Sequence, residues 1–167
     1  MTKKSEQEFE TICQDILVND KFNQLSNELH HGISRYDHSL RVARLTYKVA
    51  KLFRMKNLKI TTRAALLHDF YTNDDFANKE NSVQKLSAHP IIAAENAKKC
   101  YNIGKIEENI IKSHMFPVKG EVPKYKESWL VTAMDKTAAT YEMCCFKFSL
   151  AVNVLLLFMF NLITIQR

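Results

Sequence analysis

Six histidines are spread through the 167 residues. Four of them, His38, His68, His89 and His114, fall on apolar faces or at the ends of predicted helices. Asp69 follows His68 directly, and Asp135 falls on the inner face of a later predicted helix. A buried carboxylate is costly unless it is paired or bound to a cation. Imidazole with carboxylate is a suitable ligand set for Fe, Mn, Zn or Co. A helical protein builds such a centre from one side chain per helix, converging in the core. Any one of these histidines, taken alone, reads equally well as a satisfied core residue. Four of them with two aspartates in one small chain point to a metal site.

The elements that would carry these side chains are all helices. Residues 5–18 and 21–30 read as two short amphipathic helices, and residues 31–35 as a break. A strong helix follows over residues 36–54, with His38, Val42, Leu45, Val49 and Leu52 as its buried stripe and Arg41, Arg44, Lys48 and Lys51 beside it. The next helix spans residues 58–70, with Asn57 as its N-cap and Ile60, Ala64, Leu67 and His68 on one side. A polar loop covers residues 72–87, and Pro90 suits the first turn of a helix opened by His89. Gly104 stops that helix. Residues 105–114 bring Ile106, Ile110 and His114 to one face, and Pro117, Gly120 and Pro123 mark a loop. Ser128 caps a last helix carrying Val131, Asp135, Ala138 and Glu142 inward. Strand-like alternation is absent, which argues against sheet-based nucleotide folds.

Composition agrees. Apolar residues make up 46% of the chain, with only three Gly and three Pro, as expected of an all-α globular protein. The net charge of +6 is spread along the chain. It suits an anionic small substrate better than a nucleic acid, because no dense basic tract is interleaved with aromatics. Cys13, Cys100, Cys144 and Cys145 form no CxxC pair and read as reduced thiols of a cytoplasmic protein. The polar first ten residues show no secretory signal. Trp129 and the phenylalanines read as core.

The C-terminal stretch stands apart. Residues 148–165 are almost wholly apolar, interrupted by Ser149, Asn153, Asn161 and Thr164. As a helix they would run roughly 27 Å, close to the roughly 30 Å of a bilayer core. The expected organisation is a catalytic domain over 1–145 and an apolar C-terminal helix over 146–167. That helix is expected to pack on the domain or on a second subunit, forming a homodimer. Membrane association through 148–165 is the competing reading.

The ordered set His38, His68-Asp69, His89, His114, Asp135 resembles the HD domain superfamily of metal-dependent phosphohydrolases. Tyr36-Asp37-His38-Ser39-Leu40-Arg41-Val42-Ala43 is similar to the segment around that family's first histidine, and Ala65-Leu66-Leu67-His68-Asp69-Phe70 to its hallmark. Ala88-His89-Pro90, Ser113-His114-Met115-Phe116-Pro117 and Met134-Asp135-Lys136 resemble its later motifs. His31-Gly32 is similar to a stretch before the first histidine and reads either as a pocket approach or as a turn.

The resemblance implies an all-α HD-type helical bundle that hydrolyses phosphoester or phosphoanhydride bonds in a nucleotide or other small phosphorylated compound. It makes His38, His68, Asp69 and Asp135 ligands of one divalent metal. His89 and His114 match the binuclear subset, in which Asp69 bridges a second ion, so two ions are expected. The chain departs from some binuclear members at Met115, where they carry a further histidine. It shows no Gly-Tyr-Pro signature of cyclic-dinucleotide phosphodiesterases. His68 and Asp69 would be central to catalysis: the metal activates a water and offsets phosphoryl charge, so no nucleophilic Ser or Cys is needed. Arg41, Lys136, Lys119 and Lys124 are the candidate substrate contacts, each weighed against a solvated surface charge. Asp74 and Asp75 read as solvated loop residues, with assistance to a metal as the lesser reading. The alternative function is a non-catalytic regulatory module that binds metal or nucleotide.

Overall fold

A computed structural model describes residues 1–30, 32–76 and 82–165. Helix α1 spans Lys3–Leu17, capped by the Thr2 side chain, which accepts the Ser5 N–H. Asn19 caps the single turn α2, Asp20–Asn23, after which the chain tightens into a 3-10 turn over Gln24–Asn27. The short helix expected over 21–30 is therefore only one turn, followed by the 3-10 turn and a strand of a hairpin. Leu29–His30 and Ile33–Ser34 pair antiparallel as β1 and β2, a small hairpin where no strand was expected. At its tip Gly32 has φ of +89°, and a Cβ there would lie 2.8 Å from the Phe146 ring, so glycine serves both the turn and the close approach. His31 lies outside the described residues.

Helix α3, Arg35–Leu52, is the central element and packs on α4, Leu58–Leu67, and on α7, Lys126–Ile165. Its buried face is Arg35, His38, Ser39, Val42, Ala43, Thr46, Tyr47 and Ala50. The expected stripe drifts off this face: Leu45 and Val49 are half-buried, and Leu52 is 76% exposed. The helix ends there, and α1 packs beside α3 on α4. Alanines at 43, 50, 64 and 65 let the two central helices approach closely. Leu66, Leu67, Ile110 and Ile111 fill the space behind them, each worth about 1.5–3 kcal/mol of burial.

Asn57 stands at the N-cap of α4, as expected, but makes no side-chain capping bond; its amide donates instead to buried Glu127 at 3.1 Å, joining α4 to the start of α7. Helix α5 runs over Ser82–Tyr101, so Pro90 lies inside it rather than at its opening. The loop expected over residues 72–87 is replaced by a 3-10 turn at Asn73–Phe76 and the first turn of α5, with 77–81 outside the described residues. The α5 helix stops at Asn102, whose φ of +47° is left-handed. Gly104 instead begins α6, Lys105–Ser113, its N–H donating to Glu107 at 2.8 Å. Ser128 lies in the first turn of α7 and bonds Asn109 of α6 at 2.8 Å, tying two helices rather than capping one. Trp129 is 51% exposed and packs edge-on to Phe116, so it is not a core residue.

Helix α7 runs unbroken through residue 146. Val131, Asp135, Ala138 and Glu142 face inward as expected. Beyond them the described side chains are exposed, including Phe148, Leu150, Val154, Leu156 and Leu157. Apart from the Phe146 ring beside Gly32, these described side chains are left uncovered by the bundle of their own chain. No helix among the described residues is long and apolar enough to cross a membrane.

Candidate metal centre

Local structure aims each of the six donors inward. Ser34 accepts the Asp37 N–H and donates to its carboxylate, capping α3 so that His38 sits in its first turn. His68 and His114 occupy equivalent places at the C-terminal ends of α4 and α6. Each donates Nδ1–H to the carbonyl three residues back, Ala65 at 2.8 Å and Ile111 at 2.7 Å. Each ring is thereby locked with Nε2 facing the core. Two helix C-termini also bring their negative dipole ends to the same place, which favours a cation. His89 enters from α5 and Asp135 from α7, and Asp69 follows α4. All six are buried.

The donors form two adjoining groups. In the first, His38 Nε2 lies 3.1 Å and His68 Nε2 3.5 Å from Asp135 Oδ1. In the second, His89 and His114 Nε2 lie 3.6 and 3.5 Å from Asp69 Oδ1, and 3.1 Å from each other. The other Asp69 oxygen, Oδ2, is 3.7 Å from His68 Nε2, so this carboxylate faces both groups. Donors of the triads His38–His68–Asp135 and His68–Asp69–His114 all lie within 4.8 Å of one another.

A divalent metal fits this donor set. Two ligands bonded at about 2.1 Å to one ion sit roughly 3.0–3.4 Å apart in right-angled to tetrahedral arrangements. The spacings here match that better than they match hydrogen bonds. Buried His68 Nε2 has no hydrogen-bond partner among the described residues. His114 spends its only neutral-state N–H on Ile111, so its Nε2 lone pair meets the Nε2 of His89. A shared proton or a cation must relieve that contact.

The electrostatics of the two groups differ. Burial opposes charge on His38, but hydrogen bonds to Asp135 and Glu142 more than offset it and push its pKa up to about 10. Burial likewise opposes protonation of His68, and the Asp69 and Asp135 charges reverse the effect and raise its pKa. Burial should raise the Asp135 pKa, but His38 and His68 hold it well below the usual carboxylate range. Burial wins in the second group, lowering His89 and, with the charge of His68, pushing His114 down to about 4.

A cavity of about 670 Å³ opens onto Asp69, His89, His114 and Asp135. Its wall includes Lys136, which donates to the His114 carbonyl at 3.0 Å and whose pKa is lowered by burial. Of the other candidate substrate contacts, Lys119 and Lys124 do not line the cavity, and Lys124 lies near Glu121 at 3.7 Å. Arg41 turns away and pairs with Glu142 at 2.7 Å. Lys85 and Arg35, neither anticipated from sequence, do line it. Arg35 is buried, donates to the Tyr71 carbonyl at 2.9 Å and covers the Tyr71 ring at 4.0 Å. Tyr71 in turn lies beside His89, with ring centroids 5.3 Å apart. Asp75 accepts from Thr72 and Asn96 and so holds its loop. Asp74 is exposed. Glu142 was visible in the sequence only as an inward position; its partners lie about a hundred residues away, beyond the reach of local pattern.

The bundle, its two His/Asp groups and the adjoining cavity define an all-α protein built to hold divalent metal. Residues 35–140, well over half the chain, match the family described as the HD domain, and the protein belongs to that family. Its members bind divalent metals and are mostly metal-dependent hydrolases of the phosphohydrolase superfamily. No curated protein and no solved structure matches the chain.

Proposed function

We propose that this protein is a two-metal phosphohydrolase acting on a nucleotide or another small phosphorylated compound. The observation that carries this reading is the pair of adjoining donor groups, with Asp69 facing both, at the floor of a cavity bearing cationic side chains. His38, His68 and Asp135 would hold one ion and His89 and His114 the other, with Asp69 between them. When bound, such ions activate water and offset charge on the phosphoryl oxygens.

The residues of the chain do the remaining work. Asp69 and Asp135 supply negative charge in a buried place, so the site attracts cations. The Nδ1 bonds of His68 and His114 hold the rings in the tautomer a ligand needs. Lys136 and Lys85 would meet the phosphate, Lys136 from a fixed position and Lys85 from the exposed mouth. Among the described residues the cavity wall contains no Ser, Thr or Cys, which supports water as the nucleophile. The volume lies within the roughly 300–1,000 Å³ of small-molecule pockets, which favours a small substrate. Several basic residues of α3 are already paired: Arg41 with Glu142, Arg44 with Glu6 and Lys51 with Glu8. Those pairs make the basic stripe of α3 less suited to nucleic acid. Four free cysteines fit a cytoplasmic setting.

The test is a substrate panel of phosphomonoesters and nucleoside mono-, di- and triphosphates. Phosphate release would be followed with protein stripped of metal and then reloaded with Mn, Fe or Co. We expect release only after reloading. Folded, metal-loaded protein that binds nucleotide but releases no phosphate would overturn the enzyme reading in favour of a regulatory module.

A further inference from the structure

Glu142 lies beyond the family match over residues 35–140, yet its side chain is completely buried against the centre. Its Oε2 lies 2.8 Å from His38 Nδ1, and its Oε1 accepts from Arg41 at 2.7 Å. The other ring nitrogen of His38 lies 3.1 Å from Asp135. Asp135 and Glu142 are seven residues apart, two helical turns, so one face of α7 grips both nitrogens of one imidazole. Arg41 stands three residues after His38, one turn along α3, and compensates the carboxylate from the side facing solvent.

Such an arrangement needs a reason, because a buried carboxylate is retained only when its charge and lone pairs are met. His68 and His114 are oriented by main-chain carbonyls, Ala65 and Ile111. His38 has a full negative charge in that place instead. A carboxylate behind an imidazole fixes the tautomer, orients the ring and makes its far nitrogen a stronger donor.

We infer that Glu142 is a positioning residue for the metal centre: it accepts the Nδ1–H of His38 and so presents Nε2 to the ion, while Arg41 holds the carboxylate in place. The inference rests on the reading of His38 as a ligand. It adds to the centre a pair of residues, Arg41 and Glu142, that touches neither ion nor substrate. It also gives Arg41 a role other than the phosphate contact expected from sequence.

The test uses the full chain labelled with 15N-histidine and titrated with zinc, read at the two ring nitrogens of His38. In the wild type we expect a protonated Nδ1 and a zinc-shifted Nε2. In Glu142→Gln the zinc concentration that half-shifts Nε2 should rise about 10- to 100-fold, the usual range for a lost partner of a ligand. Arg41→Gln should give a smaller rise in the same direction. A wild-type His38 that takes zinc through Nδ1 would overturn the inference. So would a Glu142→Gln protein that melts earlier but loads His38 at the wild-type zinc concentration, since that is a purely structural ion pair. Should Glu142→Gln fail to fold, the wild-type tautomer still decides. A wild type in which His38 never responds to zinc would remove the ligand reading itself, and this inference with it.

Discussion

The two halves of the centre use the same residue types to opposite electrostatic ends. Around His38, two carboxylates close on one imidazole, and in the metal-free protein that ring holds a proton with a pKa near 10. Around His114, two buried imidazoles face each other, and burial with the charge of His68 keeps His114 neutral down to about pH 4. One half is a site that a proton already fills; the other sets two ring nitrogens 3.1 Å apart, with burial opposing a positive charge on either ring. The difference teaches that ligand identity alone does not set the behaviour of a metal site. The partners behind the donors, Glu142 for His38 and a main-chain carbonyl for His114, set what would have to leave before an ion could enter.

The substitution with the largest expected effect removes the group common to both halves. Asp69→Ala should abolish binding of both ions and lower phosphate release by about 10³-fold or more, since a catalytic metal supplies several kcal/mol. Metal content and turnover of the purified variant check this; full values of both would break the assignment. His114→Ala should separate the halves. We expect metal content to fall from two ions to one, with turnover reduced about 10²-fold, a change of about 2.7 kcal/mol. Equal loss of both ions would mean that the halves form one inseparable site.

The pH dependence of metal uptake sharpens the contrast. Below pH 10 an ion entering at His38 must displace a proton, so its apparent affinity should climb about tenfold per pH unit from neutrality toward pH 10. His114 is already neutral above about pH 4 and adds no such slope over that range. Zinc titrations of the stripped protein at pH 6, 7 and 8 should show one steep step and one flat step. Two equally steep steps would contradict the asymmetry.

The smallest effect is expected from truncation after Glu142. The described side chains beyond it are exposed, so metal content should be unchanged and stability altered by only about 0.5 kcal/mol. Sedimentation and vesicle flotation of the two forms distinguish the covers proposed for the apolar stretch, a second subunit or a lipid surface. A truncated form that loses metal would show that the outer helix supports the centre after all.

Much of the candidate centre is legible because its donor residues obey local rules. His68 and His114 close helices, His38 opens one, and Asp135 repeats with Val131, Ala138 and Glu142 on a helical face. The all-α fold followed from the same periodicity. The misreadings were of two kinds. Residue type alone marks Pro90, Gly104 and Ser128 as helix punctuation. Yet Pro90 sits within α5, Gly104 begins the next helix, and Ser128 bonds across to Asn109 of α6; Asn57 does stand at the N-cap of α4, but its side chain bonds Glu127 of α7. The basic residues were harder still. Arg41 was expected to face phosphate because it shares a helix with His38, but its partner Glu142 lies 101 positions away. Lys119 and Lys124 lie outside the cavity lining, and Lys85 reaches the cavity from an α5 turn whose sequence reads as loop. Local pattern shows which face of a helix turns inward; it does not show which charges meet there.

The most direct check of the whole account is the metal content of full-length protein purified without chelators, measured by elemental analysis. The account predicts close to two divalent ions per chain, lost on chelation together with phosphate release. A protein that releases phosphate at an undiminished rate with no bound metal would contradict it.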